Sequence, residues 1–166
     1  MKILLAVDGS EQALRAARQV AGMGEYLAKS PTVLLLNVQP PVASGLVRRF
    51  LSQEALDDYY RDEARGALEP VEAVLTQSGI AAESHVVVGD IAATIAEFAA
   101  SHGCDQIVMG TRGLGGVKGA LLGSVASECL HLADRPVLLG KLAVRRAGER
   151  LVGLCQPPSS SFVGPG

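Results

Sequence analysis

KILLAVDGSEQALRAARQVAGMGEYLAKSPTVLLLNV, residues 2–38, is the stretch that decides the fold. An unbroken apolar run from Lys2 to Val7 predicts a strand buried on both faces. The turn at residues 8–10 leads into apolar residues at helical spacing, with Ser10 as the expected N-cap. A second apolar run, from Thr32 to Val38, follows that helix. Strand, helix and strand in this order predict the βαβ unit that begins a parallel sheet.

The rest of the chain repeats this alternation. A long helix spanning about 56–75 should be kinked or divided by its internal proline, Pro70. Asp90 is the expected N-cap of the third helix, and Gly103 should end it. The remaining predicted elements are strands at Ser84–Val88, Gln106–Gly110 and Pro136–Leu139 and a helix at Ser124–Ala133. We therefore predict an α/β fold: a single doubly wound domain with a five-stranded parallel sheet and four helices.

The predicted domain spans residues 1–140. From residue 141 onward the alternation stops, and the last residues are rich in proline, serine and glycine. Such a composition cannot bury enough apolar surface to order a chain, so residues 141–166 are expected to form a partly disordered C-terminal extension.

The composition excludes several classes of function. A net charge of −2 and the absence of tryptophan argue against a nucleic-acid-binding protein. No apolar stretch approaches the roughly 18 residues of a membrane-spanning helix. Cys104, Cys129 and Cys155 are far apart in sequence, which favours reduced structural thiols and a cytoplasmic location. His85, His102 and His131 lie on three different predicted elements, where structural or surface roles are expected.

One glycine motif carries the main functional signal. Gly110-Thr111-Arg112-Gly113 is followed by nine residues and then by Gly123-Ser124. The motif starts at the end of a predicted strand and finishes at the start of a helix, where unpaired N–H groups favour an anion. We therefore predict that it binds the phosphates of a nucleotide; the alternative is a plain flexible loop. It is not a Walker A loop, because no Ser or Thr follows Lys118.

The predicted sheet brings other residues to the same place. In doubly wound sheets, ligands bind beyond the carboxyl ends of the strands, where the strand order reverses. Asp8, Val38, Gly89 and Gly110 all follow or end predicted strands. We expect them to surround one crevice.

The spacing Gly-x2-Gly-x9-Gly-Ser resembles the nucleotide-binding signature of the universal stress protein family, in its ATP-binding branch. Residues 6–10, Asn37-Val38 and Val88-Gly89-Asp90 also resemble the family pattern, so that the resemblance covers about residues 1–139. It implies a fold like that of the adenine nucleotide alpha hydrolases. It also implies a protein that is usually dimeric, binds ATP and acts in stress survival.

The resemblance further implies a set of binding residues. Ala6, Asp8 and Val38 would line the adenine and ribose, with Val38 offering backbone groups to the base, and Met109 would pack on the nucleoside. Gly110, Arg112 and Gly113 would follow the ribose and first phosphates; Gly123, Ser124 and Val125 would present N–H groups to the outer phosphates. Mg²⁺ would accompany the ATP. Ala126 departs from the pattern, because some ATP-binding members carry Ser or Thr there.

We therefore expect a cytoplasmic, ATP-binding regulatory homodimer of the stress response, paired through the exposed edge of the fifth strand. No nucleophile, base and orienting group are found together, so no catalytic residue and no metal ligand is assigned. One alternative is a slow ATP-hydrolysing or adenylyl- or phosphoryl-transferring enzyme of the same superfamily. Another is a purely structural, partner-binding dimer. The alternative to the dimer is a monomer whose C-terminal extension covers the edge of the sheet.

Overall fold

The computed structural model describes residues 1–24, 27, 29–41, 52–111, 113 and 122–140. Strands and helices alternate through these residues, as the sequence predicted. The strands are β1 (Lys2–Ala6), β2 (Thr32–Gln39), β3 (Ala82–Val88), β4 (Gln106–Gly110) and β5 (Val137–Gly140). The helices are α1 (Glu11–Met23), α2 (Gln53–Gln77), α3 (Ile91–Ser101) and α4 (Ser124–Leu132). The predicted extension, 141–166, lies outside the described residues.

All neighbouring strands pair in parallel, in the order β3-β2-β1-β4-β5. The predicted doubly wound five-stranded sheet is therefore confirmed. After β3 the chain returns to the other side of β1, so the strand order reverses between β1 and β4. That point is where an open α/β sheet forms a crevice.

Helices cover both faces of the sheet because β1 is apolar on both faces. Ile3 and Leu5 pack against α1 and α2, whereas Leu4 and Ala6 pack against α3 and α4. Successive side chains of a strand point to opposite faces, so one continuous apolar run serves two cores. Three of these side chains, those of Ile3, Leu4 and Leu5, have no exposed surface.

The predicted helix caps are present. The Ser10 hydroxyl accepts a hydrogen bond from the Ala13 N–H at 3.2 Å, and the Asp90 carboxylate accepts one from the Ala93 N–H at 3.0 Å. Gly103 follows the end of α3 with a φ of +61°, a conformation that favours glycine. These local signals fix where α1 and α3 begin and where α3 ends.

Pro70 does not divide its helix, which runs from Gln53 to Gln77. The proline has no N–H for its helical bond, but Leu68 and Val71, which flank it in sequence, are both buried in the core between α2 and the sheet. Packing against the sheet therefore keeps the two halves in one helix. Of the two predicted outcomes, a kink or a division, the division is therefore wrong, and the kink stays a prediction.

Small differences remain at the ends of the strands. β1 ends at Ala6, one residue before the prediction, although the Val7 N–H still donates to the Leu36 carbonyl at 2.9 Å. β3 begins earlier than expected, at Ala82, and β5 includes Gly140. Each difference is one or two residues long and leaves the topology unchanged.

Two strand-ending glycines let α1 approach the sheet. A Cβ atom at Gly140 would lie 2.8 Å from the Cα atom of Ala16, and one at Gly110 would lie 2.8 Å from the Cβ atom of Gln12. Such distances are shorter than normal carbon contacts. Side chains at these two positions would therefore push α1 away from β4 and β5.

Backbone hydrogen bonds close the amino-end edge of the sheet. The Thr32 N–H donates to the Met1 carbonyl at 3.0 Å, and the Asp105 N–H donates to the Lys2 carbonyl at 2.8 Å. The Lys2 N–H in turn donates to the Asp105 carboxylate at 2.7 Å. In the part of the chain that the structure describes, no helix combines the length and the apolar character needed to cross a membrane.

Candidate functional site

A cavity of about 470 Å³ opens at the carboxyl ends of β1, β2 and β4. This is the predicted place, next to the reversal of strand order. Its volume lies within the roughly 300–1,000 Å³ that small-molecule sites occupy. The lining residues are Ala6, Val7, Asp8, Leu36, Asn37, Val38, Gln39, Pro40, Glu63, Ala67, Ile91, Ile95, Met109, Gly110, Gly113, Leu122, Gly123, Ser124, Val125 and Ala126.

Nine of the ten predicted binding residues line this cavity. They are Ala6, Asp8, Val38, Met109, Gly110, Gly113, Gly123, Ser124 and Val125. The tenth, Arg112, lies outside the described residues. The fold thus brings the predicted residues together, while their contacts with a ligand stay a prediction.

One part of the cavity is apolar. Met109 and Ile95 are buried, and Val38 and Ile91 are partly buried beside them. Side chains of this kind fit a flat, weakly polar group such as a purine ring. The sequence reasoning missed Ile91 and Ile95, whose helical spacing signalled only a core face.

Another part of the cavity is the N-terminus of α4. The first backbone hydrogen bond of this helix runs from the Ser127 N–H to the Gly123 carbonyl, at 2.9 Å. The N–H groups of Ser124, Val125 and Ala126 precede it and, like the first N–H groups of any α-helix, have no partner within the helix. An anion placed here would meet these donors and the positive end of the helix dipole.

Gly123 differs from the prediction in one respect. Its N–H donates to the Thr111 carbonyl at 2.8 Å, which ties the start of α4 to the end of β4. This N–H is therefore engaged within the chain instead of being offered to a phosphate. Gly123 has φ −75° and ψ 159°, an extended conformation open to any residue.

The glycines at 110 and 113 both lie close to other parts of the chain. Gly110 lies against α1, as described above, and a Cβ atom at Gly113 would collide with Oδ2 of Asp8. The backbone of α1 occupies the space beside Gly110, which explains that glycine without a ligand. The Asp8 carboxylate is the end of an exposed side chain that can rotate away, so it does not by itself require a glycine at position 113.

Asp8 is exposed at the end of β1, and its Oδ1 atom accepts a hydrogen bond from the Ser10 N–H at 3.0 Å. Aspartate is a common N-cap residue, but the N-cap of α1 is Ser10 and not Asp8. Among the described residues, Asp8 and Glu63 are the carboxylates that line the cavity. They give it negative charge beside the donors of α4.

Two polar side chains on β2 were not predicted as site residues. Asn37 is 3% exposed; its Nδ2 donates to the Val7 carbonyl at 2.8 Å. Its Oδ1 accepts from Nε2 of Gln39 at 2.7 Å. The signal in the sequence was a single amide within the apolar run TVLLLNV, which the prediction treated only as part of a family pattern.

Two of the three histidines, His85 and His102, form an aromatic cluster with Phe98 that the sequence did not indicate. The rings of His85 and His102 lie 5.8 Å apart, and Phe98 stacks on His102 with ring centroids separated by 3.7 Å. None of the three borders the cavity. Across the described ranges, no group of three or more His, Cys, Asp or Glu side chains is arranged to hold a metal ion.

Cys104 and Cys129 are buried, unpaired thiols. Burial away from water is the main cause that raises the pKa of the Cys129 thiol from 9.0 to about 11. It also raises the pKa of Cys104. Because the thiolate is the reactive form, both residues fit the structural role that was predicted.

Comparisons with known proteins agree with this architecture. The model of the universal stress protein family matches residues 1–141. Universal stress protein MJ0531 of Methanocaldococcus jannaschii is 33% identical over 141 residues, covering 84% of this chain and 81% of that protein.

Two solved structures extend the comparison. The hypothetical protein MJ0577, from the same archaeon, is 30% identical, with a TM-score of 0.73 over 85% of this chain and 95% of that one. The universal stress protein from Archaeoglobus fulgidus was solved in complex with dAMP. It is 24% identical to this chain, with a TM-score of 0.58 over 85% of this chain and 98% of the other chain. This similarity is one of fold.

Proposed function

Since the chain belongs to the universal stress protein family, we propose that it is a cytoplasmic regulatory protein of the stress response that binds ATP in this cavity. The observation that carries the proposal is the meeting, in one cavity, of an apolar slot and the N-terminus of α4. A purine ring fits the first and a phosphate chain fits the second.

The residues that line the cavity suggest where each part of the nucleotide would bind. The base lies between Val38 and Met109, the ribose passes Asp8, and the phosphates reach the N–H groups of Ser124 and Val125. A nucleotide is bound by the fold neighbour from Archaeoglobus fulgidus, which was solved with dAMP. That complex supports the adenine class and leaves the preference for ATP to the proposal itself.

Mg²⁺ fits this arrangement. It prefers carboxylate and phosphate oxygens and retains several waters, so it needs one or two protein ligands at most. Asp8 and Glu63 offer such oxygens at the wall of the cavity. The ion would neutralise part of the triphosphate charge and so reduce its repulsion with these carboxylates.

Occupancy is proposed to signal through a homodimer. β5 pairs only with β4 among the described strands, and its residues Val137, Leu138 and Leu139 are partly exposed. An apolar strand at an edge can pair with the same strand of another copy. Nucleotide binding and pairing would then be linked through β4, which borders both the cavity and β5.

Isothermal titration with ATP in the presence of Mg²⁺ tests the binding. Gly123→Val adds an isopropyl group at the start of α4, in a backbone conformation that valine adopts readily. We expect a folded variant with no measurable binding. Gly22→Val is the matched control, because no atom beyond the helix's own backbone lies within 4 Å of a Cβ atom placed there.

Unchanged ATP affinity in folded Gly123→Val would contradict the proposal that the phosphates bind at the N-terminus of α4. The same samples test turnover. We propose binding without efficient hydrolysis, so phosphate release should stay far below about 1 per second, the lower range of ordinary enzymes. Release at such a rate, absent from Gly123→Val, would favour the enzymatic alternative.

A further inference from the structure

The carboxyl end of β2 extends past the end of β1, next to the cavity. β2 continues to Gln39, whereas the last residue of β1 is Ala6, which pairs with Leu36. On its other side, β2 stays paired with β3 as far as Gln39 and Val88. The final residues of β2 therefore have a sheet neighbour on one side and the cavity on the other.

Backbone alternation gives the direction of each polar group in this segment. The Leu36 carbonyl accepts from the Val7 N–H, so it faces β1; the Gln39 carbonyl accepts from the Gly89 N–H, so it faces away from β1. The N–H and C=O of a strand residue point to the same side, and successive residues alternate. Both backbone groups of Val38 therefore face the β1 side, where the cavity lies.

A regular parallel ladder would use the Val38 N–H in its next hydrogen bond. The Val7 carbonyl would accept it, just as the Val7 N–H donates to Leu36. In the part of the chain that the structure describes, the Val7 carbonyl accepts from Nδ2 of Asn37 at 2.8 Å, and no backbone hydrogen bond joins it to the Val38 N–H. The amide side chain thus takes the place of one backbone hydrogen bond.

The position of Asn37 is itself supported. Its Oδ1 accepts from Nε2 of Gln39 at 2.7 Å, and the side chain is 3% exposed. A buried amide with both its oxygen and its nitrogen engaged holds one orientation. The orientation that it holds directs Nδ2 to Val7.

We infer that Asn37 is a positioning residue for base recognition: by occupying the Val7 carbonyl, it keeps the Val38 N–H free for the ring nitrogen of an adenine. The Val38 carbonyl, on the same side, accepts from the exocyclic amino group. An adenine edge offers this acceptor and donor side by side. The inference rests on the proposed nucleotide site and concerns how that site selects its base.

Two ligands separate base recognition from phosphate binding. AMP carries the base, whereas ribose 5-phosphate carries only the sugar and the phosphate. Asn37→Leu removes the amide and frees the Val7 carbonyl for the Val38 N–H. We expect the Kd for AMP to rise about three- to tenfold, as the loss of one hydrogen bond predicts, and the Kd for ribose 5-phosphate to stay within about twofold.

Val86→Ala is the control for a general effect on the strands, since Val86 pairs with Asn37 but is exposed and outside the cavity. Both affinities should stay unchanged in it. Asn37→Ala serves as a second variant if the leucine variant does not fold. An equal loss of affinity for AMP and ribose 5-phosphate would overturn the inference, as would an unchanged affinity for AMP.

Amide hydrogen exchange in the protein without ligand gives a readout that does not depend on binding. In the wild type, the Val38 amide should exchange at least about tenfold faster than the Leu36 amide, which lies within the paired part of β2. In Asn37→Leu this difference should disappear, because the Val38 N–H gains the Val7 carbonyl. A Val38 amide that is already protected in the wild type would overturn the inference.

The two proposals fail in different ways. If the wild type binds neither ATP nor AMP, the proposed function is wrong, and the base-recognition role of Asn37 falls with it. If AMP binds but Asn37→Leu changes neither its affinity nor the exchange of Val38, the nucleotide site stands and the role of Asn37 is wrong.

Discussion

Replacing Gly110 with alanine adds one methyl group between β4 and α1. That methyl carbon would lie 2.8 Å from the Cβ atom of Gln12, 3.0 Å from its carbonyl carbon and 3.1 Å from the Ala13 nitrogen. Two of these three atoms belong to the backbone, so a side-chain rotation cannot relieve the contact. α1 must move instead, although Ala13 and Ala16 anchor it in the core.

The size of the effect follows from two opposing contributions. Overpacking of this kind costs about 1–3 kcal/mol, whereas replacing a glycine lowers the entropy of the unfolded chain and stabilises by about 0.4–1 kcal/mol. Gly110 does not have a positive φ, so alanine adds no backbone strain. The steric cost is the larger contribution, and we expect a net loss of stability and a lower Tm, by about 2–8 °C for a chain of this length.

Thermal and urea unfolding, followed by circular dichroism, measures this loss. Gly22→Ala is the matched control: it makes the same chemical change within α1, where nothing lies within 4 Å of the added carbon. It should stabilise the protein by about 0.5–1 kcal/mol, as alanine does in a helix. If Gly110→Ala is as stable as the wild type, the close approach of α1 to β4 is not the reason for this glycine.

Two further predictions concern β5 and a buried thiol. The Ile107 N–H donates to the Pro136 carbonyl, so the alternation of backbone groups along β5 directs the Leu139 N–H away from β4. Leu139→Pro should therefore abolish the dimer without removing a hydrogen bond to β4. Light scattering that gives a single-chain mass for the wild type would contradict the dimer. Because the pKa of Cys129 rises from 9.0 to about 11 on folding, its contribution to stability is complete below pH 9 and is lost as pH rises towards 11. Urea unfolding from pH 8 to 11 should therefore show a smaller decline for Cys129→Ala than for the wild type, and equal declines would refute this account.

The features predicted correctly depend on neighbouring residues. The apolar run of β1 and the cap at Ser10 are local patterns whose physical cause lies within a few residues. Nine predicted site residues met in one cavity because the order of strands and helices fixes which strand ends are adjacent.

The features that were missed depend on contacts between distant segments. Whether Pro70 divides α2 is decided by packing against the sheet, and the reason for Gly110 lies in α1, about a hundred residues earlier in the chain. His85, on β3, and His102, just after α3, meet because both rings pack against Phe98. Asn37 looked like part of a strand, since its partner, Val7, is identified only by the register of β1 and β2.

The amino-end edge of the sheet is closed by the chain's own hydrogen bonds, from Thr32 to Met1 and between Asp105 and Lys2. The cavity lies at the opposite edge and shares none of these residues. Substitutions in the cavity that alter the choice of ligand therefore leave these hydrogen bonds intact. Related chains can in this way come to bind different ligands while they keep the same fold. In a mutational scan, substitutions that change binding without lowering the yield of folded protein should lie at the cavity and not at the closed edge.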